Sequence, residues 1–262
     1  NGRAKAMFGE VANTFIGKRA AEILPFDKGS GVLEKFLQAA TTGSPIEGES
    51  ETNALPGGPR WMRFQAVPLR DGLAISVQDI SARKRDEQAL RDRALQQEII
   101  ASLGRSALAE ADLDHLFAAA AAAMAQGLGV AYSKVMQLVP GDRSFVLKAG
   151  VGWEPDWLGR RIGGLDDVDV RLAGGISPHQ SWVIDSLASD AQDPASEFLR
   201  AHGIVSGLNV AIFGSEGLCG VLGVYSREPR QFSADNLDFL QSIANILATA
   251  MDRNRGEEQL AH

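Results

Sequence analysis

The chain has 262 residues, of which 45% are apolar, so its length favours two domains over one and each can bury a core. Its net charge of -7 argues against a nucleic-acid surface, which concentrates Lys and Arg. The one cysteine, Cys219, excludes an intrachain disulfide and permits a reducing cytoplasm, and the longest apolar run, Leu116 to Ala125, is far below the roughly 18 residues of a membrane span.

Residues 1–80 read as short helices followed by three strands. Asn1 to Phe8 has helical spacing, punctuated by Gly9 and Gly17. Val32–Ala40 is predicted helical, with Leu33, Phe36 and Leu37 on one side and Gly43 at its end. Three β-like runs follow, Ile46–Ala54, Arg60–Leu69 and Gly72–Ile80. A Pro- and Gly-rich turn, Leu55 to Pro59, parts the first two, and Arg70-Asp71-Gly72 makes a tight hairpin between the last two. Residues 81–108 form a charged helix in which Glu87 and Arg91 are placed one turn apart for an ion pair. The mixed signs of Arg83, Lys84, Arg85, Asp86 and Glu87 predict a solvated face and not a basic patch. Residues 109–131 form a second helix. Asp112 caps it, alanines fill 118–123, and Gly127 and Gly129 stop it.

From Ala131 the texture is β again, in Ser133–Val139, Ser144–Ala149, Ser181–Leu187, Gly207–Phe213 and Leu218–Ser226. A last helix starts after Ser233, with Phe232 and Leu237 placed for a hydrophobic staple. It carries two apolar stripes. Leu237, Leu240, Ala244, Leu247 and Met251 have heptad spacing, and Phe239, Ile243, Ile246 and Ala250 form a second face. One stripe is enough to cover a sheet, so the heptad stripe is expected to be a dimer seam.

Catalytic and metal chemistry finds little support. Zinc needs clustered Cys and His, whereas His115, His179, His202 and His262 are scattered. Cys219, between Leu218 and Gly220, reads as a small core residue. Asp166, Asp167 and Asp169 lack the spacing of a calcium loop, and no Gly-Lys-Ser/Thr follows Gly163-Gly164. Trp153, Trp157 and Trp182 either fill the core or line a cavity beside Tyr225, with His179 near its mouth. These five residues are the ligand-site candidates. No acid–base pair or activated nucleophile is visible, so the chain is expected not to be an enzyme.

The stretch Asp79-Ile80-Ser81-Ala82-Arg83-Lys84-Arg85-Asp86-Glu87-Gln88-Ala89-Leu90 resembles the exit from a PAS domain, where the last strand of a sensory sheet runs into a signalling helix. Residues 1–80 otherwise resemble a PAS domain without its first two strands. The second half resembles a GAF domain. The matching pieces are Val130 to Val135, Gly150-Val151-Gly152-Trp153, His202 to Val210, Gly220 to Ser226, and Phe232-Ser233 with the helix that follows. The resemblance implies an α+β chain, with PAS over 1–80, a signalling helix over 81–108, and GAF over 109–258. It also implies a sensory module of a bacterial signalling protein. A sensor histidine kinase is the first expectation, with a cyclic-di-GMP cyclase or phosphodiesterase, or a ligand-free dimerisation spacer, as alternatives.

The relay would pass through Asp79, Ile80, Arg83, Glu87, Leu90, Leu95 and Ile99. The expected partners are a second copy through the helices, a downstream output domain of the same polypeptide and a small-molecule ligand, in the cytoplasm and without nucleic acid. A chain beginning at Asn1 in mid-element is expected to be part of a longer protein. The cofactor is left open. A covalent bilin and flavin–cysteine photochemistry are disfavoured, because Cys219 lies on the wrong element and residues 1–80 hold no cysteine. Haem through His179 is disfavoured as well.

Overall fold

In a computed structural model of the chain, residues 31–53, 58–109, 112–139, 141, 143–164, 181–184 and 194–260 are described. The chain divides into two compact units, Asn1–Arg91 and Asp92–His262, and both are α+β.

In the first unit, helix α1 (Val32–Thr42) ends at Gly43, whose left-handed backbone (φ 70°) turns its amide back onto the Ala39 carbonyl. The buried stripe is Val32, Phe36 and Ala39; Leu37, expected on the inner side, is 62% exposed. Strands β1 (Ile46–Thr52), β2 (Arg60–Leu69) and β3 (Gly72–Asp79) form an antiparallel sheet in the order β1-β2-β3. Strand β2 alternates, with Met62, Phe64 and Ala66 inside and Arg63, Gln65 and Val67 outside. The rings of Phe36 and Phe64 meet edge to face at 5.4 Å. Gly48, opposite Phe64, leaves room for that ring, because a Cβ there would lie 2.6 Å from it.

Helix α2 (Ser81–Ala109) begins in the first unit and ends in the second. Its start is tied to the sheet. The Ile80 amide donates to the Trp61 carbonyl (2.8 Å), the Trp61 amide donates to Ser81 Oγ (2.9 Å), and the Ser81 amide donates to Asp79 Oδ1 (2.9 Å). Glu87 pairs backward with Arg83 (2.6 Å) and not forward with Arg91, since Arg83 sits between the carboxylates of Glu87 and Glu49.

The second unit continues with α3 (Leu113–Leu128), β4 (Tyr132–Leu138), β5 (Ser144–Val151), a short 3-10 turn at Pro155–Trp157, β6 (Arg161–Gly164) and β7 (Ser181–Ile184). Helix α4 (Pro194–Ala201), β8 (Ser206–Gly214), β9 (Gly217–Ser226) and α5 (Ala234–Leu260) complete it. Its six strands form one antiparallel sheet in the order β6-β5-β4-β9-β8-β7. Helix α3 is capped by Asp112, whose carboxylate accepts the Asp114 amide (2.9 Å). Ser233 and Asn236 exchange reciprocal bonds at the start of α5, while Phe232 and Leu237 pack on the same cluster. Strand β6 and helix α4 escaped the sequence reading: the first has four residues, two of them glycines, and the second is eight residues long.

One face of this sheet is aliphatic and covered by α3 and α5, with the second half of α2 joining the same cluster. Ile99, Leu103, Leu116, Phe117, Met124, Leu208, Val210, Ile212, Leu222, Phe239, Leu240, Ile243 and Leu247 form a single cluster there. Gly127 permits the helices to close up, since a Cβ would collide with the rings of Phe239 and with Ile99. This packing corrects the expected dimer seam. Leu240, Ala244, Leu247 and Met251 are buried in the core of their own domain and Leu237 packs against it. The second stripe is used as well, through Phe239, Ile243 and Ala250. The helix lies in the fork between the sheet and the other helices, so both stripes are consumed within the domain.

Candidate functional site: the outer face of the six-stranded sheet

The opposite face of the sheet is built differently. Side chains alternate along a strand, so Tyr132, Lys134 and Met136 of β4 point away from the helices, as do Val221, Gly223 and Tyr225 of β9 and Asn209 of β8. The register places Gly150, Lys134, Gly223, Asn209 and Trp182 in one row across five strands. Lys134 thus stands between two glycines, with no Cβ beside it on either neighbouring strand.

Lys134 is only 4% exposed. Its Nζ lies 5.0 Å from the centre of the Tyr225 ring and 5.8 Å from that of Phe198, within cation–π range. Tyr225 is fully buried and its hydroxyl donates to Asn209 Oδ1. Gly223 makes room for this bond, since a Cβ there would strike both partners. Trp153 lies over Gly150, and its Nε1 donates to the Ser133 carbonyl (2.6 Å). Its ring meets those of Tyr132 (4.9 Å), Phe198 (4.6 Å) and Tyr225 (5.9 Å), and Trp157 meets Phe198 at 4.7 Å.

His202 joins this aromatic wall and is itself buried. Its Nδ1 lies 2.7 Å from the Phe198 carbonyl, and its Nε2 lies 2.7 Å from a carboxylate oxygen of Glu154. Both ring nitrogens are thus engaged, one by the backbone and one by the carboxylate. The bond to His202 holds the Glu154 carboxyl below the usual carboxylate range. Arg227 closes the other side, its Nε donating to the His202 carbonyl (2.9 Å).

Of the five ligand candidates, the structure brings together Trp153, Trp157 and Tyr225. Trp182 contributes its backbone to β7 opposite Asn209, and its side chain lies outside the described residues, as does all of His179. Sequence reasoning missed Lys134, Asn209 and Phe198. Lys134 left a signal, because a lysine in the middle of a buried strand is out of place unless something holds it. Among the relay residues, Ile80 and Ile99 are buried, Leu90 and Leu95 are exposed, and Asp79, Arg83 and Glu87 form the bonds described above. Cys219 is buried with the aliphatic cluster on the helix side, where Arg255 Nη2 lies 3.8 Å from its Sγ. Among the described residues, no group of three or more His, Cys, Asp or Glu side chains is placed to hold a metal ion, and no helix is long and apolar enough to cross a membrane.

Residues 1–85 match the PAS fold and residues 110–252 match the GAF domain. The second match covers more than half of the chain. The chain belongs to the GAF domain family, in tandem with a PAS domain. Both are families of sensory and regulatory domains. No curated protein matches the chain. Solved structures do. The phycoerythrobilin-bound GAF domain of a cyanobacterial phytochrome is 21% identical with a TM-score of 0.53, the match covering 62% of this chain and 97% of that one. The GAF domain of a phosphoenolpyruvate-protein phosphotransferase from Coxiella burnetii is 15% identical, also with a TM-score of 0.53, over 63% and 96% of the two chains. The chromophore-binding domain of a bacteriophytochrome from R. palustris is 16% identical with a TM-score of 0.52, over 86% and 80%.

At such identities the likeness shows the fold. It also corrects one expectation. A covalent bilin was disfavoured on the position of Cys219, yet structures sharing this fold include GAF domains with phycoerythrobilin and phycocyanobilin bound and a further protein with biliverdin bound. The position of a cysteine bears on a covalent bond to the chromophore. It does not bear on the face of the sheet against which such a molecule packs.

Proposed function

We propose that this chain is the sensory module of a bacterial signal-transduction protein, in which α2 carries a conformational change to an output domain of the same polypeptide, a sensor histidine kinase. The observation that carries this reading is the course of α2. Asp79, Ser81 and Trp61 fasten its first turn to the sheet of one unit, and Ile99, Leu103 and Ala107 bury its end in the core of the other. A helix whose two ends are anchored in different cores lets the packing at one end bias the packing at the other, which is the physical content of a switch with two packings.

The same helix supports pairing of two copies. Leu90, Ala94, Gln97, Ala101 and Leu108 are exposed and follow heptad spacing on α2. The test is phase. In the full-length protein, deleting Asp86–Asp92 preserves the heptad register and is expected to leave autophosphorylation regulated. Deleting Asp86–Ala89 rotates one end against the other and is expected to lock it on or off. If the two deletions behave alike, α2 is a flexible tether and the proposal fails.

On the outer face of the GAF sheet we place a conjugated or aromatic ligand, walled by Trp153, Trp157 and Tyr225. The gathering of rings on this face supports this, and the bilin-bound structures of the same fold are in keeping with it. Native mass spectrometry of the purified chain, and of the chain given biliverdin, is expected to show one bound molecule per GAF domain. An unliganded mass under both conditions overturns it.

A further inference from the structure

The first turns of α2 sort their charges in a way the sequence hid. Arg83 turns toward Glu49 and Glu87. Ser81, Lys84, Arg85, Gln88 and Arg91 fall at i, i+3, i+4, i+7 and i+10, which is one helix face. That face and the start of β2, Pro59-Arg60-Trp61, form the two walls of an open cleft of about 810 Å³ within the first unit. Four cations line it, Arg60, Lys84, Arg85 and Arg91, against one carboxylate, Asp79. The cleft is thus basic on a chain whose net charge is -7.

The one carboxylate is already engaged. Asp79 accepts the Ser81 amide (2.9 Å) and pairs with Arg60 (3.5 Å). Burial works to raise its pKa, but the Ser81 amide and hydroxyl, with Arg60 and Arg85, hold it below the usual carboxylate value. Lys84 binds Glu49 (2.7 Å) and lies 4.8 Å from the centre of the Trp61 ring. Arg85 donates to the Ser81 carbonyl (3.3 Å), and neither it nor Arg91 forms an ion pair among the described residues. Both guanidiniums line the cleft, and Asp79, already bonded to Ser81 and paired with Arg60, is the one carboxylate that faces them. From Lys84 to Arg91 the helix rises about 10 Å, which suits several linked anionic groups better than a single small ion. Guanidinium forks suit phosphate oxygens in particular.

We propose that this cleft binds a soluble, multiply charged phosphate compound of nucleotide size, at a site separate from the outer face of the GAF sheet. The ligand would rest on Ser81 and Trp61, the residues that fix the start of α2, and so would brace the junction between sheet and helix. Binding itself does not depend on the relay reading and is tested without it. Isothermal titration of the 262-residue chain uses ATP and inorganic tripolyphosphate in magnesium-free buffer, with adenosine as the uncharged control. Both anions are expected to bind, more weakly as salt rises, and adenosine is not. Replacing Arg85 and Arg91 together by alanine is expected to weaken binding by at least about tenfold, since each charge-assisted bond is worth more than a neutral one. Arg63→Ala, which removes a cation on β2 that pairs with Glu47 away from the cleft, is expected to leave binding unchanged. Circular dichroism confirms that the variants fold. No heat at millimolar concentration of either anion overturns the proposal, and so does affinity that survives the double substitution.

Discussion

The two faces of the six-stranded sheet obey different rules. The helix side is aliphatic, covered by two helices and joined by the end of a third. The outer side carries rings, a buried lysine, a buried histidine and an amide bonded to a tyrosine. An apolar face is held by area removed from water and asks only for complementary shape. A polar face holds only when every buried donor and acceptor is matched. The difference teaches that the first face is specified by shape and area alone, whereas the second is specified by matched polar partners among its rings.

The comparison breaks most visibly on the helix side. Leu247 is fully buried, so Leu247→Glu places an unpaired charge in the aliphatic cluster and is expected to cost about 3 kcal/mol or more. Urea denaturation reads this. A stable variant with altered dimer mass would restore Leu247 to a seam between copies. On the outer face, Glu154→Gln is expected to have a smaller effect, because Glu154 is solvent-exposed while His202 is buried. Its pH dependence has a definite sign. The folded-state pKa of Glu154 is lowered by His202, so its contribution is present above the ordinary carboxylate range and is lost as pH falls through the lowered value. The stability gap between the chain and its Gln variant should therefore close under acid. A gap that widens would mean that the pair does not form. The smallest change in stability is expected from Leu90→Glu, since Leu90 is 67% exposed. Light scattering should nevertheless show loss of the α2 pairing, and an unchanged dimer mass would remove this stripe from the interface.

Much of the architecture was legible in the residues. The strand–turn–strand runs from Ile46 to Asp79, the helix from Ser81, the caps at Asp112 and Ser233 and the hairpin around Gly214–Gly217 all carry local signals of alternation, capping or turn chemistry. Trp153, Trp157 and Tyr225 were legible as site candidates because large aromatics announce themselves. Lys134, Asn209 and Phe198 were not, because what unites them is register. Five strands bring Gly150, Lys134, Gly223, Asn209 and Trp182 into one row, and no local pattern encodes which strand lies beside which.

The stripes of α5 show the same limit. The sequence by itself determined that two apolar faces exist, since a period of 3.6 is written in the residues. Only the tertiary structure decided that both are spent inside the domain, by setting α5 between a sheet and two other helices. The charges of α2 were sorted in the same way. Mixed signs read along the chain as a solvated face. On the folded helix Arg83 turns to its carboxylates and Lys84, Arg85 and Arg91 turn to the cleft, because neighbours in sequence point 100° apart around a helix while residues three and four apart share a side.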